Sequence, residues 1–194
     1  WEQRRGRASF ELAICEEPLD YSPRTRSIYS DPGFMLLGFA LESAATVPLD
    51  RLFYDWRSRE LGPETELQFN PPTAWRERTA PTEDTLYGEE RRGEVHDENC
   101  AALAGVAGHA GLFGTAAAVG ACARWWLTSP ALETFARKSA TPGSSRALGW
   151  DTMLPTSSCG SRLSSKAIGH TGFTGTSLWI DPEQDLYVVL LSNR

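Results

Sequence analysis

The sequence predicts an α+β protein in which helices come first and an antiparallel sheet comes last. Segments with helical periodicity and helix-start signals alternate with loops through residues 8–140, whereas two β-prone runs, residues 177–180 and 186–191, lie close to the C-terminus. The polar segment 182–185 between these runs begins with proline and is typical of a turn. Because the strands follow the helices instead of alternating with them, we expect helices packed on an antiparallel hairpin and not βαβ units.

Two helices are predicted near the N-terminus. Residues 8–15 form a short one that Pro18 ends, because proline cannot continue a helix. The strongly apolar stretch 34–41 predicts a buried helix with Asp31 as its N-cap and Pro32 at the first helical position.

Further helices are predicted on both sides of an irregular segment. After Pro48, four apolar side chains fall at helical spacing on one face: Leu49, Leu52, Phe53 and Trp56. Thr115 begins an Ala-rich helix that extends to about residue 127, and a short helix follows from Pro130 to about residue 137. Residues 63–94 show no clear periodicity, which indicates either a functional loop or structure that the pattern does not reveal.

Glycine recurs at every third position in one segment, at Gly105, Gly108, Gly111 and Gly114. This glycine content is too high for a stable helix. It predicts a tight loop whose backbone closely approaches another element or a ligand.

Composition indicates one domain over residues 1–194, with a mainly helical and loop region at about 8–140 and a sheet region at about 145–194. The 194 residues carry a formal net charge of −6, which argues against nucleic-acid binding, since neutralising phosphates requires a clustered basic surface. No apolar run approaches the roughly 20 residues of a membrane span, so we expect no transmembrane segment.

Several familiar chemistries are not supported by the motifs. The sequence contains neither the phosphate-binding Gly-x-x-x-x-Gly-Lys nor the hydrolase Gly-x-Ser-x-Gly, and its four cysteines form no Cys-x-x-Cys pair. His96, Asp97, Glu98, Cys100 and His109 are possible metal ligands, but adjacent residues rarely point at one ion. We therefore predict no metal and no cofactor, and we interpret His109 as a loop residue.

Two motifs of serine acyl-transfer enzymes do occur, in order. Tyr29-Ser30-Asp31 precedes the predicted buried helix, and His170-Thr171-Gly172 leads into the hairpin. With these motifs the sequence resembles the class C branch of the β-lactamase and penicillin-binding protein superfamily, which contains class C β-lactamases, D-alanyl-D-alanine carboxypeptidases and β-lactamase-like esterases. The family motifs are Tyr-x-Asn and Lys-Thr-Gly, and some family carboxypeptidases share the histidine variant. Residues 95–99 and 105–113 also look like the family's segment before its Ser/Thr-Ala helix.

The resemblance implies a β-lactamase/DD-peptidase-like fold over nearly the whole chain, and it implies catalytic roles for Tyr29 and His170. Tyr29 would carry a proton between the nucleophile and the leaving group, a task that nearby positive charge assists. His170 stands where the family has the lysine that supplies such charge, and Asp31 is one conceivable carboxylate partner for it. Structural interpretations stay open: Tyr29 as a helix-entry aromatic, and His170 as a polar residue at a strand end.

The resemblance also implies a substrate-binding set, which consists of Asp31, Thr171, Gly172 and Phe173. Thr171 would bind a substrate carboxylate or carbonyl, and the backbone N–H of Phe173 would be one oxyanion donor. Asp31, in the position of the family's asparagine, could equally be only a helix cap. Together with Tyr29 these residues would line one cleft.

The family's nucleophile motif, Ser-x-x-Lys, does not occur in the sequence. The two lysines, Lys138 and Lys166, are preceded at that distance by Phe135 and Leu163. Since the chain also begins without Met and ends directly after the second predicted strand, we expect a fragment truncated at both ends and inactive by the serine route when alone.

The expected parent is a bacterial, extracytoplasmic or periplasmic serine hydrolase that acts through an acyl-enzyme. Its partner would be a small-molecule or peptide substrate with an ester, amide or β-lactam bond. The alternative is a non-catalytic binding or regulatory domain that retains the β-lactamase-like fold.

Overall fold

The computed structural model describes residues 6–84 and 90–193, which divide into two compact units. The first unit contains the chain up to Pro18, residues Tyr29–Thr115, and Asn193. The second contains Leu19–Ile28 and Ala116–Ser192. The prediction of one domain over residues 1–194 stays a prediction.

The first unit is mainly helical. Its helices are α1 (Arg7–Glu16), α2 (Asp31–Ala45), α3 (Leu49–Glu60) and α4 (Glu98–Ala102), with a 3-10 helix at Thr73–Arg78. Its strands are β1 (Leu67–Phe69), β2 (Pro81–Asp84), β3 (Glu90–Arg92) and β4 (Leu112–Gly114). β1 pairs antiparallel with β4, and β2 pairs antiparallel with β3. Phe10 of α1 packs on Met35 and Phe39 of α2 in the buried core.

The three predicted N-terminal helices are confirmed, but the expectation that α2 is buried is only partly met. α2 is not buried all round, because Met35, Gly38 and Phe39 face the interior while Leu37 and Leu41 are about half exposed. Residues 63–94 contain structure that their pattern does not reveal, one of the two possibilities left open, since β1, the 3-10 helix, β2 and β3 lie within this segment. Elements of three or four residues are too short to show a repeating pattern.

Arg57 anchors the loop after α3. It is a buried charged residue, and its guanidinium donates to the carbonyl oxygens of Thr65 at 2.7 Å, Leu67 at 3.4 Å and Pro63 at 3.4 Å. The group also lies 4.8 Å from the ring centre of Tyr54. The three carbonyls tie the loop that leads into β1 to the end of the helix.

The glycine-rich segment is a loop up to Gly111, whereas Gly114 ends β4, and the predicted close approach is to another element, α2. A Cβ atom at Gly108 would collide with the carbonyl oxygen of Phe34, and one at Gly38 would lie 3.3 Å from the Gly108 nitrogen. Glycine is therefore required where loop and helix backbones meet.

Asp97 and His109 join the two ends of the segment around α4. Asp97 caps α4 by accepting a hydrogen bond from the backbone N–H of Cys100 at 2.7 Å. The same carboxylate oxygen lies 2.8 Å from Nε2 of His109, whose side chain is only 2% exposed. His109 is thus a buried structural residue within its loop.

The hydrogen bond with His109 is the main reason that the pKa of Asp97 lies below its usual range. Partial burial of the carboxyl acts against this lowering, and the bond from the Cys100 backbone adds to it.

The second unit contains the predicted antiparallel sheet. Its helices are α5 (Ala116–Thr128) and α6 (Ala131–Phe135), and its strands are β5 (Asp151–Thr152), β6 (Ile168–Thr171), β7 (Ser177–Asp181) and β8 (Leu186–Leu190). The strand order is β5-β6-β7-β8, with every neighbouring pair antiparallel. Ala123 of α5 packs against Ile168 of β6 and Ile180 of β7, so α5 covers one face of the sheet. The predicted hairpin is confirmed as β7 and β8.

The turn of this hairpin is organised by Asp181, which is fully buried. Its carboxylate accepts hydrogen bonds from the backbone and hydroxyl of Ser164, both at 2.6 Å, and from the turn residues Glu183 and Gln184. Burial is the largest single influence on the pKa of Asp181 and raises it, but the hydrogen bonds together outweigh it and leave the pKa lowered.

Within residues 6–84 and 90–193, no single helix is long and apolar enough to cross a membrane. Only α2 and α3 counted together meet the length and composition of a span, and the two helices are bent by 77° at their junction.

Replacing Arg57 with methionine should lower the free energy of unfolding by about 2–4 kcal/mol, because three carbonyls lose a charged donor. Urea denaturation of a protein that contains these residues measures the change. Arg59→Met is the matched control: Arg59 is exposed on the same helix and bonds the neighbouring Glu60, so its loss should cost about 0.5 kcal/mol or less. Equal effects of the two substitutions would contradict the anchoring role.

Replacing Asp97 with alanine should destabilise the protein by about 1–3 kcal/mol at neutral pH, since it removes a helix cap and the partner of His109. The pKa of Asp97 is lowered in the folded state, so its contribution is complete above the unfolded carboxyl pKa of about 4 and is lost as pH falls through the folded value. The gap in unfolding free energy between wild type and variant should therefore narrow below about pH 4.

Glu98→Ala serves as the control for this pH series, because Glu98 is exposed in the first turn of the same helix. A difference in unfolding free energy between wild type and Asp97→Ala that stays constant from neutral pH down to about pH 2 would show that folding does not lower the pKa of Asp97.

Candidate functional site

The tyrosine motif lies at the start of α2, in the first unit. Ser30 is the N-cap of this helix, and its hydroxyl oxygen accepts a hydrogen bond from the backbone N–H of Gly33 at 3.1 Å. The side chain of Tyr29 is 38% exposed, and its hydroxyl donates to Oδ1 of Asp31 at 2.7 Å. Its ring lies 5.6 Å from that of Phe34. A partly exposed phenol is thus hydrogen-bonded to a carboxylate two residues away.

The predicted cap was wrong by one residue. Ser30 caps α2, and Asp31 is the first helical residue, which moves Pro32 to the second helical position. Serine and aspartate are comparably good caps, so their order in the chain alone does not decide between them. The consequence is chemical, because the carboxylate of Asp31 is available to Tyr29.

The strand motif lies at the end of β6, in the second unit. His170 stands opposite Leu178 of β7, and Thr171 opposite Ser177. The N–H of Gly172 donates to the carbonyl of Thr176 at 2.7 Å and so begins the turn into β7. Thr171 and Gly172 are exposed, and the side chain of Phe173 is 61% exposed in this turn. Three of the four predicted substrate-binding residues are therefore contiguous and accessible within this unit.

Gly169 holds the strand that carries this motif in register. It pairs with Trp179, and a Cβ atom at Gly169 would collide with the tryptophan ring. The ring therefore lies directly over the β6 backbone next to His170.

His170 has a partner that the sequence did not reveal. Its Nε2 lies 3.0 Å from Nη1 of Arg146, and its Nδ1 lies 2.8 Å from the carbonyl oxygen of Thr171. The side-chain partner described for Nε2 is thus a cation and not a carboxylate. Arg146 is 24 residues upstream, and no local pattern connects the two positions.

The predicted site residues thus form two groups. Tyr29 and Asp31 bond to each other in the first unit, and residues 170–173 form a continuous edge in the second. The implication that all of them line one cleft stays a prediction.

Three of the possible metal ligands, Asp97, Cys100 and His109, make other interactions in the structure. Asp97 and His109 bond to each other, and burial followed by the charge of Asp97 raises the pKa of the Cys100 thiol to about 12. In the described part of the chain, no group of three or more His, Cys, Asp or Glu side chains is arranged to hold a metal ion.

Comparison with known proteins supports the family resemblance that the two motifs indicate. The family model described as Beta-lactamase matches residues 2–194. A protein from Escherichia coli O157:H7, provisionally named D-alanyl-D-alanine carboxypeptidase, is 34% identical over 215 residues, which cover 93% of this chain and 48% of that protein. The chain therefore spans about half the length of the curated relatives that it matches.

Solved structures share the fold. EstCE1, described as a hydrolase with promiscuous acyltransferase activity, is similar with a TM-score of 0.71 at 21% identity over 97% of this chain and 56% of its own. A β-lactamase from Mycobacterium bovis is similar with a TM-score of 0.61 at 20% identity over 90% of this chain and 59% of its own. The predicted β-lactamase-like fold is confirmed, and, with the family model covering all residues but the first, the chain belongs to the Beta-lactamase family.

Proposed function

We propose that these 194 residues are part of a serine hydrolase that acts through an acyl-enzyme on an ester, amide or β-lactam. The observation that carries the proposal is the pair of motifs in family order: a tyrosine at the start of α2 and His-Thr-Gly at the end of β6. Family membership and the provisional carboxypeptidase name of the 34% identical relative support this reaction class.

Tyr29 is the proposed acid and base of this reaction. Its hydroxyl already donates to Asp31 at 2.7 Å, so a carboxylate is positioned to hold the phenol in one orientation. Partial exposure of the ring leaves the hydroxyl accessible to a reacting group. In the proposed mechanism, Tyr29 takes the proton of the nucleophile while its own hydroxyl proton moves along the hydrogen bond to Asp31, and the reverse transfers deliver a proton to the leaving group.

The end of β6 is the proposed substrate edge. The exposed Thr171 hydroxyl can donate to a substrate carboxylate or carbonyl, and the backbone N–H of Phe173 is the proposed oxyanion donor from this strand. Gly172 makes room for the Thr176 hydroxyl, which would collide with a Cβ atom at this position, so glycine lets the turn after β6 close. The contacts proposed for Thr171 and Phe173 are general acyl-transfer contacts, so they suit esters, amides and β-lactams alike.

The nucleophile of the proposed reaction comes from outside these residues, because no Ser-x-x-Lys occurs among them. The part of the relatives' length that this chain does not span could contain it. By this proposal the 194 residues alone form no acyl-enzyme through the serine route.

A non-catalytic binding domain is the second candidate, and the substitution at the family's lysine position favours it. His170 stands there and bonds to a cation. Stoichiometric covalent labelling by a fluorescent penicillin or a phosphonate would exclude a binding-only role. If a folded protein that includes both this chain and a Ser-x-x-Lys segment is not labelled by either reagent, the hydrolase proposal fails.

Tyr29→Phe should lower the acylation rate with a chromogenic ester by about 10²- to 10⁴-fold, because it removes the proton-transfer group while keeping the ring. Stopped-flow or burst kinetics on the full protein measures the rate. Tyr54→Phe is the matched control, since Tyr54 is a similarly exposed tyrosine on α3 and its substitution should leave the rate unchanged. Equal rates for wild type and Tyr29→Phe would remove Tyr29 from the mechanism.

A further inference from the structure

Two hydrogen bonds described for His170 together fit one protonation state of its ring. Arg146 has only donors, so its Nη1, at 3.0 Å, requires Nε2 of His170 to be an unprotonated acceptor. The carbonyl oxygen of Thr171 only accepts, so Nδ1, at 2.8 Å, must carry the proton. Both contacts therefore require the neutral Nδ1–H tautomer. A doubly protonated imidazolium would direct an N–H donor at the guanidinium and bring two cations together.

Arg146 is held in place by its own backbone. The Ser139 N–H donates to the carbonyl of Arg146 at 2.7 Å, and the N–H of Arg146 donates to the buried Ser144 hydroxyl at 3.0 Å. Arg146 also forms a β-bridge with Asp151, the first residue of β5, which pairs with Gly169 of β6. A short backbone connection thus links the arginine to the strand that carries His170.

We propose that Arg146 is a positioning residue for His170: it fixes the Nδ1–H tautomer and orientation of the imidazole and supplies a permanent positive charge beside the end of β6. The guanidinium stays charged under all conditions in which proteins fold, whereas the imidazole that it contacts is neutral. Two residues thus share the role of the family's lysine. His170 occupies the position, and Arg146 carries the charge. The catalytic consequence rests on the proposed hydrolase function, while the tautomer does not.

The tautomer is tested by imidazole ¹⁵N–¹H correlation spectra of a protein that contains this chain. The chain has three histidines, so His170→Gln assigns the resonance of interest by its disappearance. The wild type should show the Nδ1–H pattern for His170. Arg146→Met should move it towards the Nε2–H form that imidazole prefers in water, and Arg146→Lys, which keeps a charged donor, should restore the wild-type pattern at least in part.

The indole N–H resonance of Trp179 reports whether each variant is folded, because that buried ring lies against Gly169 in the unit that contains both Arg146 and His170. An Nε2–H pattern in the wild type overturns the proposal without any variant. An unchanged His170 pattern in folded Arg146→Met overturns it as well.

Acylation kinetics of the full protein test the catalytic consequence. Arg146→Met should lower kcat for a chromogenic ester on the order of 10- to 100-fold with little change in KM, the size typical of losing a partner that orients a functional histidine. Arg146→Lys should recover part of the loss. An active wild type with an unaffected Arg146→Met variant overturns the positioning role. A wild type that forms no acyl-enzyme instead overturns the proposed function, and the tautomer result then stands separately.

Discussion

The contact between Gly169 and the ring of Trp179 is the constraint on which the strand side of the candidate site depends. Because the tryptophan ring lies where any side chain at position 169 would be, the pairing of Gly169 with Trp179 favours the observed register of β6 on β7. A slip by one residue would turn His170 to the opposite face of the sheet. The meeting of His170 with Arg146 and the exposure of Thr171 at the strand end both follow from that register.

The tyrosine side depends on a comparable local constraint. Ser30 satisfies the first amides of α2, which leaves the carboxylate of Asp31 to accept the Tyr29 hydroxyl. In both units an element end positions the polar group: the N-terminus of a helix in one and the C-terminal end of a strand in the other. Backbone geometry thus determines which side chains are available for chemistry, and neighbouring side chains orient them.

The sequence predicted the elements whose signals are long or redundant. The β7–β8 hairpin has two β-prone runs and a proline-containing turn, and α1 to α3 have stop or start residues as well as periodicity. β1 and β4 escaped prediction because three residues cannot display alternation. Within the candidate site, the tyrosine motif and the His-Thr-Gly motif were recognisable because each consists of three consecutive residues. The partnership of His170 with Arg146 was not, because it exists only after β5 and β6 pair.

We propose that Tyr29 and the end of β6 serve one acyl-transfer reaction, and a double-mutant cycle tests this shared role. Acylation rates by a chromogenic ester would be compared for wild type, Tyr29→Phe, Thr171→Val and the double variant of the full protein. If both groups act in one reaction, the acylation rate of the double variant should fall by much less than the product of the two single-variant factors, with a coupling free energy above about 1 kcal/mol. Changes in activation free energy that add to within about 0.5 kcal/mol would contradict the shared role, because the two groups would then act independently.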